Sequence, residues 1–174
     1  GLSSLFGFSF VTLMPAWAVK VLGGDARTNG LLQSARGVGA LLAALGIASL
    51  GRFRGRGRLL TAGSLAFPVV IAGLSFTRSL PLSLACLLLA GAAFIGMFNL
   101  ANALVQTLVP DAVRGRVMSV YNLSFLGLAP IGSLAIGAAA ERCGEPTAML
   151  AFAIASLVCT GGVALTVPSL RRLA

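Results

Sequence analysis

Six polar side chains suited to ligand recognition lie inside long apolar runs of the sequence: Gln33, Arg36, Asn99, Asn102, Gln106 and Asn122. Arg36 is the one charged residue among them. Gln33 precedes Arg36 by three residues, and residues three or four apart lie on one face of a helix. The same spacing places Asn99, Asn102 and Gln106 on one face. These side chains either line a water-accessible pathway or form hydrogen bonds between packed helices.

The residue types that are missing exclude most enzyme chemistry. The sequence has no histidine, and no acidic residue lies inside an apolar run. A serine–histidine pair, a pair of aspartates and a histidine–carboxylate metal site are therefore excluded within these runs. Cys86, Cys143 and Cys159 lack metal-ligand spacing, and we interpret them as packing residues and one loop thiol. We predict no enzyme activity, no metal site and no cofactor.

The composition is that of a membrane protein. Of the 174 residues, 57% are apolar and 10% are charged, whereas a soluble domain carries about 25% charged residues. The net charge of +9 would suggest nucleic-acid binding in a soluble protein. Here the basic residues form short clusters between apolar runs, as in the cytoplasmic loops of membrane proteins. We therefore predict the lipid bilayer as a partner and no nucleic acid.

The sequence contains six long apolar segments, at 2–19, 28–50, 59–76, 82–109, 113–140 and 147–167. A membrane-spanning helix needs about 20 residues, and tilting accommodates a longer segment. The sequence therefore predicts an all-α polytopic membrane protein with six transmembrane helices. Glycines inside the segments, among them Gly37, Gly39 and Gly46 in the second and Gly132 in the fifth, predict close helix packing. Pro130 is expected to kink the fifth helix.

The basic residues are unevenly distributed between the two sides that six spans define. Four arginines in 51–58, two in 110–116 and two after residue 167 give one side eight basic residues. The other side has four: Lys20, Arg27, Arg78 and Arg142. Because cytoplasmic loops collect Lys and Arg, we predict that the eight-residue side, and with it the C-terminus, is cytoplasmic.

The segment 110–116 (PDAVRGR) is predicted to be a cytoplasmic turn. Pro110 should end the fourth helix, and Asp111 should cap the fifth. Arg114 and Arg116 follow near the lipid headgroups. These arginines either anchor the turn or help to close the cytoplasmic side as a gate, and the sequence leaves both alternatives open.

Several stretches of the chain resemble the C-terminal half of major facilitator superfamily transporters, and in particular the bacterial branch of enterobactin-type exporters. The stretch 106–117 (QTLVPDAVRGRV) resembles the turn between helices ten and eleven of that branch. The stretch 30–41 (GLLQSARGVGAL) resembles its helix eight, and 128–137 (LAPIGSLAIG) its helix eleven. One departure is the loop after helix eight, in which no acidic residue precedes the basic cluster.

The resemblance implies that residues 1–174 form one six-helix bundle built as a 3+3 inverted repeat. It implies alternating-access transport, with a missing N-terminal six-helix half as partner and a small amphipathic substrate such as a drug-like molecule or a siderophore. Any carboxylate needed for proton coupling would come from that half, because the membrane segments here contain none.

A self-standing six-helix channel or scaffold is the alternative interpretation. The chain begins at Gly1 inside an apolar run, so we expect it to be part of a longer protein. A reading frame that extends upstream with six further apolar runs would distinguish the two.

Overall fold

The computed structural model describes residues 1–49 and 55–166, in which six helices are long and apolar enough to cross a membrane. The last five are α2 (Ala26–Ser49), α3 (Arg56–Phe76), α4 (Leu80–Leu108), α5 (Asp111–Cys143) and α6 (Glu145–Thr166). These helices confirm the all-α polytopic fold. The largest difference in bounds is in α5, which extends two residues before and three beyond the predicted segment and runs through Pro130 without interruption. Some of the predictions fall outside the described residues. They concern the two predicted segment ends at residues 50 and 167, Arg52, Arg54 and the basic pair Arg171–Arg172.

The first helix, which we call α1, is irregular throughout. It consists of a π-helical turn (Ser3–Gly7), a 3-10 segment (Phe8–Leu13), a short α-helical turn (Met14–Ala16) and a second π-helical turn (Trp17–Val21). Two local causes are visible. Pro15 has no N–H to donate, and the Ser9 hydroxyl donates to the Leu5 carbonyl at 2.5 Å, where it competes with backbone hydrogen bonding. A run of apolar residues therefore forms a span that departs from ideal α-helical geometry.

The two helix starts that carry an aspartate differ. Asp25 precedes α2 and accepts hydrogen bonds from the Thr28 backbone N–H at 3.0 Å and the Thr28 hydroxyl at 3.2 Å. The prediction that Asp111 caps α5 was wrong. Pro110 occupies the cap position, no side-chain cap hydrogen bond forms, and Asp111 is the first helical residue. Its carboxylate instead pairs with Arg114, one turn further along the helix, because an opposite charge at that spacing is within reach.

Two close helix crossings define the bundle. A Cβ atom added to Gly39 of α2 would overlap the backbone carbonyl of Leu88 in α4, and one added to Gly91 of α4 would overlap the carbonyl of Arg36 in α2. In the second crossing, a Cβ atom on Gly132 of α5 would overlap the Leu5 carbonyl of α1. Glycine is therefore required at these positions because the backbones touch.

The pairing of helices repeats. Let α1, α2 and α3 be matched with α4, α5 and α6 in that order. The contact between α2 and α4 then corresponds to the contact between α5 and α1, and the contact between α3 and α4 corresponds to that between α6 and α1. A 3+3 inverted repeat predicts this correspondence, but the contact between α5 and α6 has no counterpart of similar extent between α2 and α3 in the described part of the chain. The predicted close packing at glycines is confirmed only in part. Gly39 and Gly132 lie at the crossings, whereas an added Cβ on Gly37 or Gly46 would meet open space.

The buried core lies between α1, α3, α4 and α6, whereas α2 and α5 bury little of their surface. Trp17, Phe67 and Leu87 are among the buried apolar residues of this core. In contrast, Leu123 and Leu134 of α5 are 71% and 77% exposed, as are several other large apolar residues of α2 and α5 to lesser degrees. An apolar surface of this extent is typical of a face covered by lipid or by another part of a membrane protein.

Candidate functional site

Arg36 lies near the middle of α2, ten residues after the helix begins. At 1.5 Å per residue it is about 15 Å from the helix start, so it is deep within the span. Arg36 is partly buried and forms part of the wall of a cavity of about 180 Å³ between α1, α2, α3 and α4. Among the described residues it is the one charge more than two turns from either end of a span. A charged side chain at this depth normally faces a partner or a cavity.

The face of α2 that leads to Arg36 is polar. Asn29, Gln33 and Arg36 follow at spacings of four and three, which puts them on one side of the helix. The side-chain oxygens of Asn29 and Gln33 are buried, and so is the indole N–H of Trp17; none of the three has a hydrogen-bond partner within the described part of the chain. Buried polar atoms of this kind are usually satisfied by water or ligand. None of these three residues lines the Arg36 cavity.

Sequence reasoning missed two residues of this region, Asn29 and Trp17. Asn29 precedes Gln33 by four residues and so lies on the same helix face as Gln33 and Arg36. It was passed over because it lies close to the predicted start of the span. Trp17 resembles ordinary core in an apolar run, and only its unsatisfied indole N–H distinguishes it.

The polar residues of α4 and α5 do not join Arg36. Gln106 donates a hydrogen bond to the side-chain oxygen of Asn102, one turn earlier in α4. Asn99 is partly buried, whereas Asn122 of α5 is exposed. None of these four residues lines the Arg36 cavity. Their predicted role in a substrate pathway therefore stays a prediction.

A second and larger cavity, of about 600 Å³, lies between α1, α3, α4, α5 and α6. Its walls are mostly apolar but carry the hydroxyl groups of Thr61, Ser64, Tyr121, Ser124 and Thr160. Cavities that bind small molecules span about 300–1,000 Å³ and combine apolar walls with a few polar groups. This cavity has that size and composition.

Aromatic rings connect the two cavities. From the Arg36 cavity, Phe67 and Phe94 have ring centroids 5.3 Å apart, and Phe94 and Phe125 are 5.9 Å apart. Phe125 continues to Phe98 at 4.8 Å, and Phe98 to Tyr121 at 6.1 Å. These separations are those of favourable aromatic contacts. The rings form a continuous apolar wall from one cavity to the other.

The turn at 110–116 is organised around Arg114. Its guanidinium pairs with Asp111 and donates to the Val109 carbonyl at 3.2 Å. Arg116 is exposed. Arg114 thus has partners within its own turn, and its predicted gating role and that of Arg116 remain predictions.

The fold and the site together define a polytopic helical membrane protein with ligand-sized internal cavities. The family model for transmembrane secretion effectors, a group of the major facilitator superfamily, matches residues 2–173. The chain belongs to this family. That assignment confirms the predicted superfamily and points to a transporter rather than an enzyme, while the narrower likeness to enterobactin-type exporters remains a prediction.

Curated relatives carry the names of efflux and siderophore transporters. The chain is 29% identical over 144 residues to the multidrug efflux pump Tap of Mycolicibacterium fortuitum, covering 83% of this chain and 35% of the relative. It is 29% identical over 135 residues to the pump of the same name in Mycobacterium tuberculosis H37Rv, covering 78% and 32%. It is 25% identical over 135 residues to the staphyloferrin A transporter of Staphylococcus aureus, covering 78% and 34%. The chain spans about a third of the length of these relatives.

Proposed function

We propose that this chain is one six-helix half of a cell-membrane transporter that exports small amphipathic compounds by alternating access. The observation that carries the proposal is the position of Arg36 in the wall of a cavity deep within the span. An arginine at this depth is costly in lipid, and charged residues in such positions commonly mark substrate pathways. The names of the relatives support export of drug-like compounds or siderophores as the substrate class.

The proposed partner is an N-terminal six-helix half. The apolar surfaces of α2 and α5 support this, because they are exposed within this bundle and are the right kind of surface to pack against a second bundle or lipid. No carboxylate lies in the interior of the described spans. If transport is driven by protons, the second half supplies the group that carries them.

The test of the proposal is an efflux assay on the full-length carrier in a strain that lacks its own exporters. Arg36→Ala should reduce efflux by at least tenfold while the amount of carrier in the membrane stays unchanged. Arg27→Ala is the matched control, since Arg27 is an exposed arginine at the start of the same helix and should leave efflux normal. Normal efflux by a well-inserted Arg36→Ala carrier would contradict the role of this residue.

The proposed orientation places the turn at 110–116 and the C-terminus in the cytoplasm. The support is the distribution of basic residues, eight on one side and four on the other. Reporter fusions after Gly55 and after Gly144 should report opposite sides, with Gly55 cytoplasmic. A cytoplasmic signal from both fusions would rule this topology out.

We also propose that the cytoplasmic turn contributes to gating through Arg116 rather than through Arg114. Arg114 already pairs with Asp111, whereas Arg116 is exposed. An exposed ion pair contributes at most about 1 kcal/mol, so its loss shifts an open–closed equilibrium only several-fold. Arg116→Ala should increase the labelling of a cytoplasmic cysteine probe by that factor with normal insertion. Unchanged labelling would leave membrane anchoring as the role of Arg116.

A further inference from the structure

The Arg36 cavity has the size of one aromatic ring. Its volume is about 180 Å³, and an apolar protein cavity of about 150 Å³ is large enough to bind benzene. Phe10, Phe67 and Phe94 form much of its wall, with ring centroids 6.0 Å apart for Phe10–Phe67 and 5.3 Å for Phe67–Phe94. A flat apolar group that enters would contact these rings edge-on or face-on at favourable separations.

Arg36 adds one kind of specificity to this apolar space. Its guanidinium is always charged, and its planar set of donors matches the two oxygens of a carboxylate. A charge-assisted contact of this kind is stronger than a hydrogen bond between neutral groups. The cavity therefore combines an apolar region sized for a ring with a cation in its wall.

We infer that this cavity is a subsite for an aromatic group, or an apolar group of similar size, that carries an acidic substituent. The three phenylalanines hold the apolar part, and Arg36 holds the acid. This inference rests on the proposed function, because it assigns a chemical class to part of the exported compound. The acid could belong to a soluble aryl acid or to an anionic lipid, which share this chemistry.

Gly37 offers a way to close the cavity without disturbing the helix packing. It lies in the cavity wall beside Arg36, and an added Cβ would meet no other heavy atom within 4 Å. A leucine at this position adds volume to the cavity wall, and we expect it to reduce the space for a ligand. Gly91 is unsuitable, because a side chain there would overlap the backbone of α2. Gly30, seven residues before Gly37 on the same helix, also faces open space but lies outside the cavity, so Gly30→Leu is the matched control.

The experiment measures binding of benzoate, benzamide and benzylamine by calorimetry to the full-length carrier in phosphatidylcholine nanodiscs. Benzoate should bind about tenfold more tightly than benzamide, the factor expected for a charge-assisted hydrogen bond, and benzylamine should bind weakest. Arg36→Gln should abolish the preference for benzoate. Gly37→Leu should weaken both benzoate and benzamide at least tenfold, and Gly30→Leu should change neither.

A second arm replaces part of the phosphatidylcholine with phosphatidylglycerol. Unchanged benzoate affinity supports a soluble aryl acid as the ligand. If phosphatidylglycerol instead weakens benzoate binding, and does so only when Arg36 is present, an anionic lipid occupies the same subsite. Equal binding of benzoate and benzamide, or a preference that survives Arg36→Gln, would overturn the inference. If that happens while efflux still depends on Arg36, the export proposal stands. If the benzoate preference is present but efflux is absent, the export proposal fails and the subsite remains.

Discussion

α2 meets α4 through two glycines, whereas α5 meets α1 through one glycine and a group of hydroxyls. In the first crossing Gly39 and Gly91 bring two regular helices into backbone contact. In the second, Ser4 donates to the Phe125 carbonyl at 2.5 Å and Thr12 to the Ser133 hydroxyl at 3.0 Å. The two crossings occupy corresponding positions in the helix pairing, and the second adds these polar contacts to its packing.

The difference extends to the ends of the helices. Lys20 at the end of α1 forms an ion pair with Glu145 at the start of α6, at 2.5 Å, and this glutamate is buried. α2 instead caps its own start through Asp25 and Thr28. α1 thus combines irregular backbone with polar contacts to its neighbours. Irregular turns within a helix often mark places that change conformation, so we expect the α1–α5 crossing to yield more easily than the α2–α4 crossing.

The largest expected effect is at the glycine pair. Gly39→Ala puts a methyl group where the Leu88 carbonyl lies, and neither of the two regular helices can shift locally. The bundle should lose about 3 kcal/mol of stability, at the upper end for overpacking. Thermal unfolding of the purified protein in detergent measures this. Gly73→Ala on α3, where an added Cβ meets open space, is the control and should have little effect. A stable Gly39→Ala protein would remove the distinction between the crossings.

The equivalent change at the second crossing should cost less. Gly132→Ala overlaps the Leu5 carbonyl and the Ser9 hydroxyl, but the irregular α1 backbone and the rotating hydroxyl can both adjust. We expect a loss of about 1.5 kcal/mol.

A double-mutant cycle tests the contribution of Ser9. Ser9→Ala removes one of the two overlapping groups, so Gly132→Ala should cost about 0.5–1 kcal/mol less in that background. Ser4→Ala is the control, because the Ser4 hydroxyl bonds to Phe125 rather than facing Gly132. A larger loss for Gly132→Ala than for Gly39→Ala would reverse the comparison.

The spans were predictable because each is a long apolar run bounded by loops with Gly, Pro or Arg, and length and hydrophobicity decide insertion. The irregular α1 was not predicted, since the segment reads as an ordinary apolar run; its contacts with α5, 121 residues away in sequence, were equally out of reach. The cap at Asp111 was mispredicted because Pro110 takes the cap position.

The residues around the Arg36 cavity were also only partly predictable from the sequence. Arg36 was predictable as a lone charge inside an apolar run. Phe10, Phe67 and Phe94 were not, because a phenylalanine in an apolar run has the same local sequence whether it faces lipid, core or cavity. Three different helices bring these rings together, and only tertiary packing determines that they meet beside Arg36.

The smallest expected effect concerns the start of α2 and depends on pH. Hydrogen bonds from the Thr28 backbone and side chain hold the pKa of the Asp25 carboxyl below its usual range, which for aspartate is about 3.9. A lowered pKa in the folded state means that the charged carboxylate stabilises the fold above the unfolded pKa. This contribution is lost as the pH falls through the lower folded pKa. Asp25→Asn keeps a capping side chain but removes the charge, so it isolates this contribution.

We therefore expect Asp25→Asn to lower the unfolding temperature slightly at pH 7, and the difference from the unchanged protein to shrink as the pH falls below about 4 and to vanish only below the folded pKa. Thermal unfolding of both proteins between pH 3 and pH 7 measures this. Thr28→Val, which removes the hydroxyl donor but keeps the backbone N–H, should give part of the same pH dependence. Within the described residues α1 has no equivalent carboxylate cap at its start. We therefore expect this pH dependence to arise at α2 and not at α1. A difference between the two proteins that is the same at pH 3 and pH 7 would show that the Asp25 charge does not stabilise this end of α2.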